Sequence, residues 1–296
     1  MSRGARQAME PAQKKRQPLA LSFDVECYYQ IVTKDFLERA IAPTPEVLVN
    51  TNWILDLLKE NGVSATFFFL GNVAENYPEL VRRAVAEGHE IGVHGDVHDY
   101  VRDMDQTQFR TEITRGMAKI HAAGADRIVG HRATAFSITR DNLWALDTLH
   151  ELGLTYDSSI FPFEGNRYGI QDWPRQPGMT DAGIVEVPMS VVDINGRKMP
   201  CMGGGYVRYF PLAFTRWCAA RLHDEGLTPI CYFHPYEFGR KPVFSSTELN
   251  GADRDAVRRL RRFNLMQGIG RGRPMRRKLE WLVKHYHVMP VGALAA

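Results

Sequence analysis

The feature that most constrains the fold is a regular alternation of short apolar runs with segments of helical periodicity. Apolar runs typical of buried strands lie at 19–26, 64–71, 89–94, 127–132, 155–159, 183–190 and 228–235. Helical periodicity lies between them, at 46–62, 78–87, 107–123, 139–151 and 214–225. Strands that alternate with helices predict a parallel sheet covered by helices, which is an α/β fold. The length of the chain is above that of most single domains, but α/β barrels routinely reach it as one unit. We therefore expect one domain over 18–296.

Titratable side chains are concentrated at the carboxyl ends of these predicted strands. They are Asp24, Glu26, His94, His131, Arg132, Asp157 and His234. In a β/α barrel the carboxyl ends of the strands form the catalytic face. The sequence therefore predicts an active site at that end of the sheet.

The strongest cluster among these residues combines two histidines with two carboxylates. His94 and His98 are four residues apart, so one helical turn can direct both imidazoles to one cation. Asp24 and Glu26 share a face of the first strand, where burying them is costly unless they are paired or bind metal. Two imidazoles and a carboxylate with an open position are typical of a catalytic zinc site, and a further carboxylate can accept a proton from water. This chemistry favours hydrolysis of an ester or amide, whereas solvated polar side chains are the alternative interpretation.

Six segments, taken in order, resemble the motifs of the polysaccharide deacetylase superfamily, which includes chitooligosaccharide deacetylases. They are SFDVE, TFFFLG, EGHEIGVHGDVH, GHRATAFS, TYDSSIFP and CYFHP. A GGGY segment at 203–206, a HPYE segment at 234–237 and a basic extension from about residue 240 resemble a bacterial subgroup associated with exopolysaccharide and exosortase systems. The resemblance implies a distorted (β/α)7 barrel that removes acetyl groups from N-acetylated sugars.

The resemblance also implies a metal site formed by Glu26, His94 and His98. Most members of the superfamily carry two adjacent aspartates in the first motif, and the second aspartate binds the metal. Here Val25 occupies that position and Glu26 follows it. We expect Glu26 to replace the aspartate, with zinc as the default metal and cobalt, nickel or iron as alternatives.

The same resemblance implies the acid and base of the reaction. Asp24 corresponds to the base that takes a proton from water, and Arg132 to the arginine that holds this base in position. His234 corresponds to the acid that protonates the leaving amine. Asp157 corresponds to the carboxylate that orients the acid.

Four residues are expected to contact the substrate. The backbone N–H near Ala135 or Phe136 is implied as the donor to the oxyanion. Tyr206 follows three glycines and is expected to stack on a sugar ring, although a flexible connecting loop is equally compatible with the segment. Tyr28 is expected to line the sugar cleft, with core packing as the alternative.

Charge and composition limit the partners of the chain. The formal net charge is only +3, and no aromatic residues are interleaved with the basic segments at 253–263 and 271–278, so we expect no nucleic-acid partner. These segments predict contact with an anionic membrane surface or with diphosphate-linked glycans, or else a solvated helix face docked on the barrel.

Location and substrate are predicted from the ends of the chain. Residues 1–17 are basic, are not followed by an apolar run of signal-peptide length, and are expected to be a disordered tail. We therefore expect a cytoplasmic protein whose N-acetylated substrate is a lipid-linked or nucleotide-linked saccharide. Two other functions stay open, namely hydrolysis of another small amide (a ureide or formamide) and a catalytically silent glycan-binding protein.

Overall fold

A computed structural model of the protein describes residues 16–165, 168–240, 242, 244, 249 and 251–296. Its strands are β1 (Pro18–Val25), β2 (Thr66–Phe69), β3 (Glu90–Val93), β4 (Gly130–His131), β5 (Tyr156–Asp157), β6 (Gly178–Met179), β7 (Val185–Glu186), β8 (Val191–Ile194), β9 (Arg197–Pro200), β10 (Ile230–Phe233) and β11 (His287–Met289). Its α-helices are α1 (Tyr28–Leu37), α2 (Pro45–Glu60), α3 (Gly71–Asn76), α4 (Pro78–Ala86), α5 (Gln106–Ala122), α6 (Trp144–Glu151), α7 (Gly204–Tyr209), α8 (Leu212–Asp224), α9 (Arg254–Gln267) and α10 (Arg273–His285).

The central sheet contains seven parallel strands in the order β10–β1–β2–β3–β4–β5–β7. β6 pairs antiparallel with β7 at one edge, and β11 adds to the start of β1. All but the first of the eight residues of β1 are buried, as expected for a strand covered on both faces. Seven parallel strands alternating with helices confirm the expected distorted (β/α)7 barrel.

Three glycines allow the loop after β3 to pack closely against α3 and α5. A Cβ atom on Gly116 would lie 2.5 Å from the carbonyl oxygen of Gly95, and one on Gly71 would lie 2.7 Å from the Cα atom of Gly116. The Gly71 N–H donates to the Gly95 carbonyl at 2.9 Å. Gly95 has a φ of +100°, which favours glycine. This contact fixes the start of the loop that carries His94 and His98.

The predicted elements occur close to their predicted positions, with differences that have local causes. The helix predicted at 139–151 begins as a 3₁₀ turn at 140–142 and continues as α6. The strand predicted at 127–132 is reduced to β4, because only Gly130 and His131 pair with both neighbouring strands. Helices α1, α3 and α7, strands β6 and β11 and the β8–β9 hairpin were not predicted, whereas α9 and α10 agree with the docked helix face that was one interpretation of the basic segments. The expected N-terminal tail lies almost entirely outside the described residues.

The basic C-terminal segments form helices that dock on the barrel through apolar faces. α9 buries Ala256 and Leu260, and α10 buries Met275, Leu279 and Leu282. The arginines of α9 at 254, 258, 259, 261 and 262 are exposed. None of the helices in the described part of the chain combines the length and the hydropathy that crossing a bilayer requires.

Candidate active site and metal centre

Glu26, His94 and His98 converge at the carboxyl ends of β1 and β3. Their ligand atoms all lie within 4.8 Å of one another. Glu26 Oε2 is 3.3 Å from His94 Nε2 and 3.2 Å from His98 Nε2. All three side chains are buried. The structure thus brings together the three residues that the sequence singles out as ligands, including the glutamate that replaces the usual aspartate.

The surroundings of the two imidazoles fit a divalent cation. His94 Nδ1 lies 2.6 Å from the Arg132 carbonyl oxygen, so Nδ1 carries the proton and the Nε2 lone pair faces Glu26. This arrangement is typical of metal-binding histidines. Burial alone would raise the pKa of Glu26, but the neighbouring His98, His234 and His94 hold this pKa well below its usual value. An anionic carboxylate and two imidazole nitrogens form a donor set suited to zinc.

Asp24 lies beside this cluster and is held by Arg132. The Arg132 Nη1 donates to Asp24 Oδ1 at 2.8 Å and to Ser22 Oγ at 2.7 Å. The guanidinium also donates to the Ser158 carbonyl at 2.9 Å and lies over the Phe68 ring at 4.4 Å. Arg132 is fully buried, so its fork geometry leaves Asp24 one orientation. The structure therefore places the expected base and its arginine as the sequence predicts.

His234 follows β10 and enters the same cavity from the opposite side. Its Nε2 lies 3.9 Å from Asp24 Oδ2 and 3.6 Å from Glu26 Oε1. Its ring stacks on Tyr236 at 4.8 Å. Burial alone would lower the pKa of His234, but the carboxylates of Glu26, Glu237 and Asp24 raise it to about 9. The ring is therefore protonated at neutral pH and can act as an acid.

The expectation that Asp157 orients His234 is wrong. Asp157 Oδ1 accepts hydrogen bonds from His131 Nδ1 at 2.6 Å and from Ser159 Oγ at 2.7 Å. Parallel pairing sets His131, Asp157 and Glu186 side by side on β4, β5 and β7, which explains why Asp157 faces these neighbours. His131 is thus a satisfied buried histidine.

The carboxylate within hydrogen-bonding distance of His234 Nδ1 belongs to Glu237. Its Oε2 lies 3.3 Å from His234 Nδ1 and accepts the His234 backbone N–H at 3.0 Å. Burial alone would raise the pKa of Glu237, but the hydrogen bond and charge of His234 and the charge of Arg208 hold it below its usual value. A 3₁₀ turn over Pro235–Phe238 brings residue 237 back to residue 234. The signal in the sequence was the i, i+3 spacing within HPYE.

The loop after β4 holds two non-glycine residues in left-handed conformation. Ala135 has a φ of +49° and Phe136 a φ of +54°. Such conformations are costly and cluster at functional sites. The Phe136 N–H already donates to the Ala133 carbonyl at 3.0 Å, and the Ala133 N–H donates to Ser159 Oγ at 2.8 Å. Of the two expected oxyanion donors, Ala135 is therefore the better candidate.

One cavity of about 520 Å³ joins the expected ligands, base, acid and oxyanion donors. It is lined by Asp24, Glu26, His94, His98, Ala135, Phe136 and His234. Tyr28 lines it as expected, and its hydroxyl donates to Asn264 Oδ1 at 3.3 Å. Burial raises the pKa of Tyr28 to about 12, so the hydroxyl keeps its proton. Tyr206 is half-buried in α7 and is not among the described residues that line the cavity, so its expected stacking role is not supported. Lining residues that the sequence did not suggest include Tyr100, Tyr236, Phe263 and Gln267.

Two family models cover most of the chain. Residues 14–156 match the polysaccharide deacetylase model, and residues 158–292 match a domain of unknown function, DUF3473. Thus Asp24, Glu26, His94, His98 and Arg132 come from the first segment. The second segment supplies His234, Glu237 and helix α9, which lines the cavity with Phe263 and Gln267.

Known proteins resemble the chain over parts of their length. A chitooligosaccharide deacetylase from Bradyrhizobium sp. is 32% identical over 96 residues, which are 32% of this chain and 42% of that protein. One from Sinorhizobium fredii is 32% identical over 123 residues, which are 41% of this chain and 56% of that protein. The chain thus matches about half the length of these relatives.

The fold has a solved counterpart as well. The structure of a Mycobacterium smegmatis protein described as a polysaccharide deacetylase superposes with a TM-score of 0.57 at 20% identity, over 95% of both chains. This likeness shows the fold. Residues 14–156, about half of the chain, belong to the polysaccharide deacetylase superfamily by the family model and the relatives.

Proposed function

We propose that the protein is a metal-dependent hydrolase that removes the acetyl group from an N-acetylated sugar. The observation that carries the proposal is the convergence of a three-ligand cluster, an arginine-held carboxylate and a buried histidine on one cavity. The chitooligosaccharide deacetylases among the relatives support an N-acetylated saccharide as the substrate.

The residues around the cavity divide the reaction between them. Glu26, His94 and His98 would hold a divalent cation, which would supply Lewis-acid activation of water and of the amide carbonyl. Asp24 accepts the proton of the attacking water. The Ala135 N–H donates to the oxyanion that develops as water adds to the carbonyl. His234 then donates a proton to the nitrogen as the carbon–nitrogen bond breaks, which releases acetate and the free amine.

An extended cleft favours a saccharide over the small-amide alternative. A second cavity of about 630 Å³ adjoins the first and shares Asp35, His98 and Tyr100 as walls. A ureide or formamide needs only a small enclosed pocket, whereas the joined cavities offer room for more than one sugar unit. The silent glycan-binding alternative is disfavoured because a binding protein needs neither a held base nor a protonated histidine.

We propose that the substrate is an intermediate of bacterial polysaccharide assembly, lipid-linked or nucleotide-linked, and that the protein acts in the cytoplasm. The exposed arginines of α9 support an anionic partner near the cleft, since Phe263 and Gln267 of the same helix line the cavity.

We also propose a peripheral membrane contact at the surface around the end of α9. Leu265, Met266 and Ile269 are each more than half exposed, and five exposed arginines precede them on α9. Apolar side chains beside basic ones are typical of segments that bind anionic bilayers at the interface. We expect binding to phosphatidylglycerol vesicles that weakens with salt, and little binding to phosphatidylcholine vesicles.

Sedimentation with vesicles tests this contact. Changing all three apolar residues to serine should abolish sedimentation, whereas Val49→Ser with Met179→Ser serves as a control at equally exposed sites elsewhere. Equal sedimentation of the triple variant and wild type would rule out this surface.

Asp24→Asn tests the proposed reaction. The variant should retain bound metal but release acetate from N-acetylated oligosaccharides at least about 100-fold more slowly, because the base is lost. Asp35→Asn is a matched control, since Asp35 lines the same cavity without touching the ligand cluster. Full activity of Asp24→Asn would show that the proposed mechanism is wrong.

A further inference from the structure

A buried ion pair lies directly behind the histidine that protonates the leaving group. Arg208 of α7 donates from Nε to Glu237 Oε1 at 3.2 Å. The other oxygen of Glu237 lies 3.3 Å from His234 Nδ1. Arg208 is 4% exposed and Glu237 is 1% exposed. The three side chains therefore form a continuous chain of polar contacts from α7 to the cavity.

The remaining donors of Arg208 are held by the C-terminal segment. Nη1 donates to the carbonyl oxygens of Gln267 and Ile269, the latter at 3.2 Å, and Nη2 donates to Gln267 Oε1. A planar guanidinium with this many acceptors has one orientation. The end of α9 therefore fixes the orientation of the Arg208 side chain. The same end of α9 forms part of the cavity wall.

The two Glu237 oxygens have different partners, and this arrangement gives the ion pair more than a packing role. Because Arg208 engages Oε1, Oε2 stays directed at His234 Nδ1. When Nδ1 donates its proton to Glu237, the opposite ring nitrogen, Nε2, faces Asp24 and Glu26. Asp157 cannot take this role because His131 and Ser159 occupy it.

We propose that Arg208, acting through Glu237, is a positioning residue that holds His234 in the orientation needed to protonate the leaving amine. The proposal deepens the proposed function and rests on it for the identity of the reaction. It also gives the C-terminal segment, the part matched to a domain of unknown function, a role in the active site.

Two substrates with different leaving groups separate positioning from general damage. An amine leaves poorly without a proton, whereas the phenolate of an aryl acetate leaves without help from an acid. Arg208→Met should lower kcat on an N-acetylated chitooligosaccharide by about 100-fold and change hydrolysis of 4-nitrophenyl acetate by less than about threefold. Arg208→Lys keeps a positive charge and should recover part of the amide activity, which also covers the case in which Arg208→Met folds poorly.

Arg175→Met is the matched control. Arg175 is a partly buried arginine paired with Glu225 at 2.6 Å and does not line the cavity among the described residues. Arg175→Met should change the rates of hydrolysis of the amide and of the aryl acetate by the same factor. Equal losses on both substrates in the Arg208 variants, with bound metal unchanged, would overturn the proposal.

An NMR measurement decides the positioning role independently of the substrate. The Nδ1–H resonance of His234 in the full-length protein, assigned by its absence in His234→Gln, should shift or vanish in Arg208→Met and stay in Arg175→Met. An unchanged resonance in Arg208→Met would overturn the proposal. Wild-type protein that cleaves the aryl acetate but no acetamide would instead overturn the proposed function, and the resonance would still report on Arg208.

Discussion

The buried carboxyl pair of Asp157 and Glu186 makes stability depend on pH in a direction that the structure fixes. Both residues are at most 1% exposed. Burial and the charge of Asp157 raise the pKa of Glu186 well above its usual value. Burial alone would also raise the pKa of Asp157, but the hydrogen bond from His131 holds it below its usual value. The pair therefore keeps one proton, carried by Glu186.

The sign of the pH effect follows from this proton. In the unfolded chain Glu186 ionises near its usual pKa of 4.5, whereas in the folded protein it stays protonated to higher pH. Its contribution to stability is present below the unfolded pKa and is lost as the pH rises towards the folded pKa. Within that window the free energy of unfolding falls by about 1.4 kcal/mol per pH unit.

Glu186→Gln removes this dependence of stability on pH and keeps the hydrogen bonds of residue 186. The glutamine oxygen can accept the Ser159 and Ile160 N–H groups that now donate to Glu186 Oε1, and its amide can donate to Asp157 at every pH. Denaturant unfolding of metal-free protein should show wild type losing stability relative to the variant, by up to about 1.4 kcal/mol per pH unit, as the pH rises above 4.5. Glu151→Gln, at a half-exposed glutamate, makes the same charge change and should leave the slope unaltered. Parallel stability curves for wild type and Glu186→Gln would refute the shared proton.

Two other substitutions test the neighbouring site. Arg132→Met leaves Asp24 buried without its partner and should lower the free energy of unfolding by about 3–5 kcal/mol. The double variant Asp24→Asn/Arg132→Met should lose less than Arg132→Met alone in denaturant titration, and an equal loss would mean that the pair is not coupled. Glu26→Gln replaces the anionic ligand by an amide and should reduce bound zinc, measured by elemental analysis, to well below one ion per chain, while His94 and His98 remain. Full zinc occupancy in Glu26→Gln would remove Glu26 from the ligand set.

The sequence predicted those parts of the structure that local periodicity determines. The apolar run of β1 and the spacing of Val47, Ile54 and Leu58 in α2 require burial on fixed faces, so these elements lie where they were expected. The residues brought together at the carboxyl ends of the strands followed from barrel geometry. Each of those predictions depended on periodicity within one element or on the common direction of the strands in the sheet.

Predictions that depended on longer-range packing were wrong or missing. The role of Asp157 came from family resemblance, but strand register turns its side chain towards His131. Glu237 reaches His234 through a single turn that apolar periodicity does not reveal. Phe263 and Gln267 line the cavity because α9 docks beside α1, a contact between segments more than 200 residues apart.

Acetate release is the most direct test of the central claim. N-acetylated oligosaccharides are incubated with the protein as purified, after chelation, and after addition of zinc. We expect acetate release that chelation abolishes and zinc restores, with Asp24→Asn at least about 100-fold slower than wild type throughout. Undiminished release after verified removal of metal would contradict a metal-dependent deacetylase, as would protein with one bound metal ion per chain that releases no acetate from any N-acetylated saccharide.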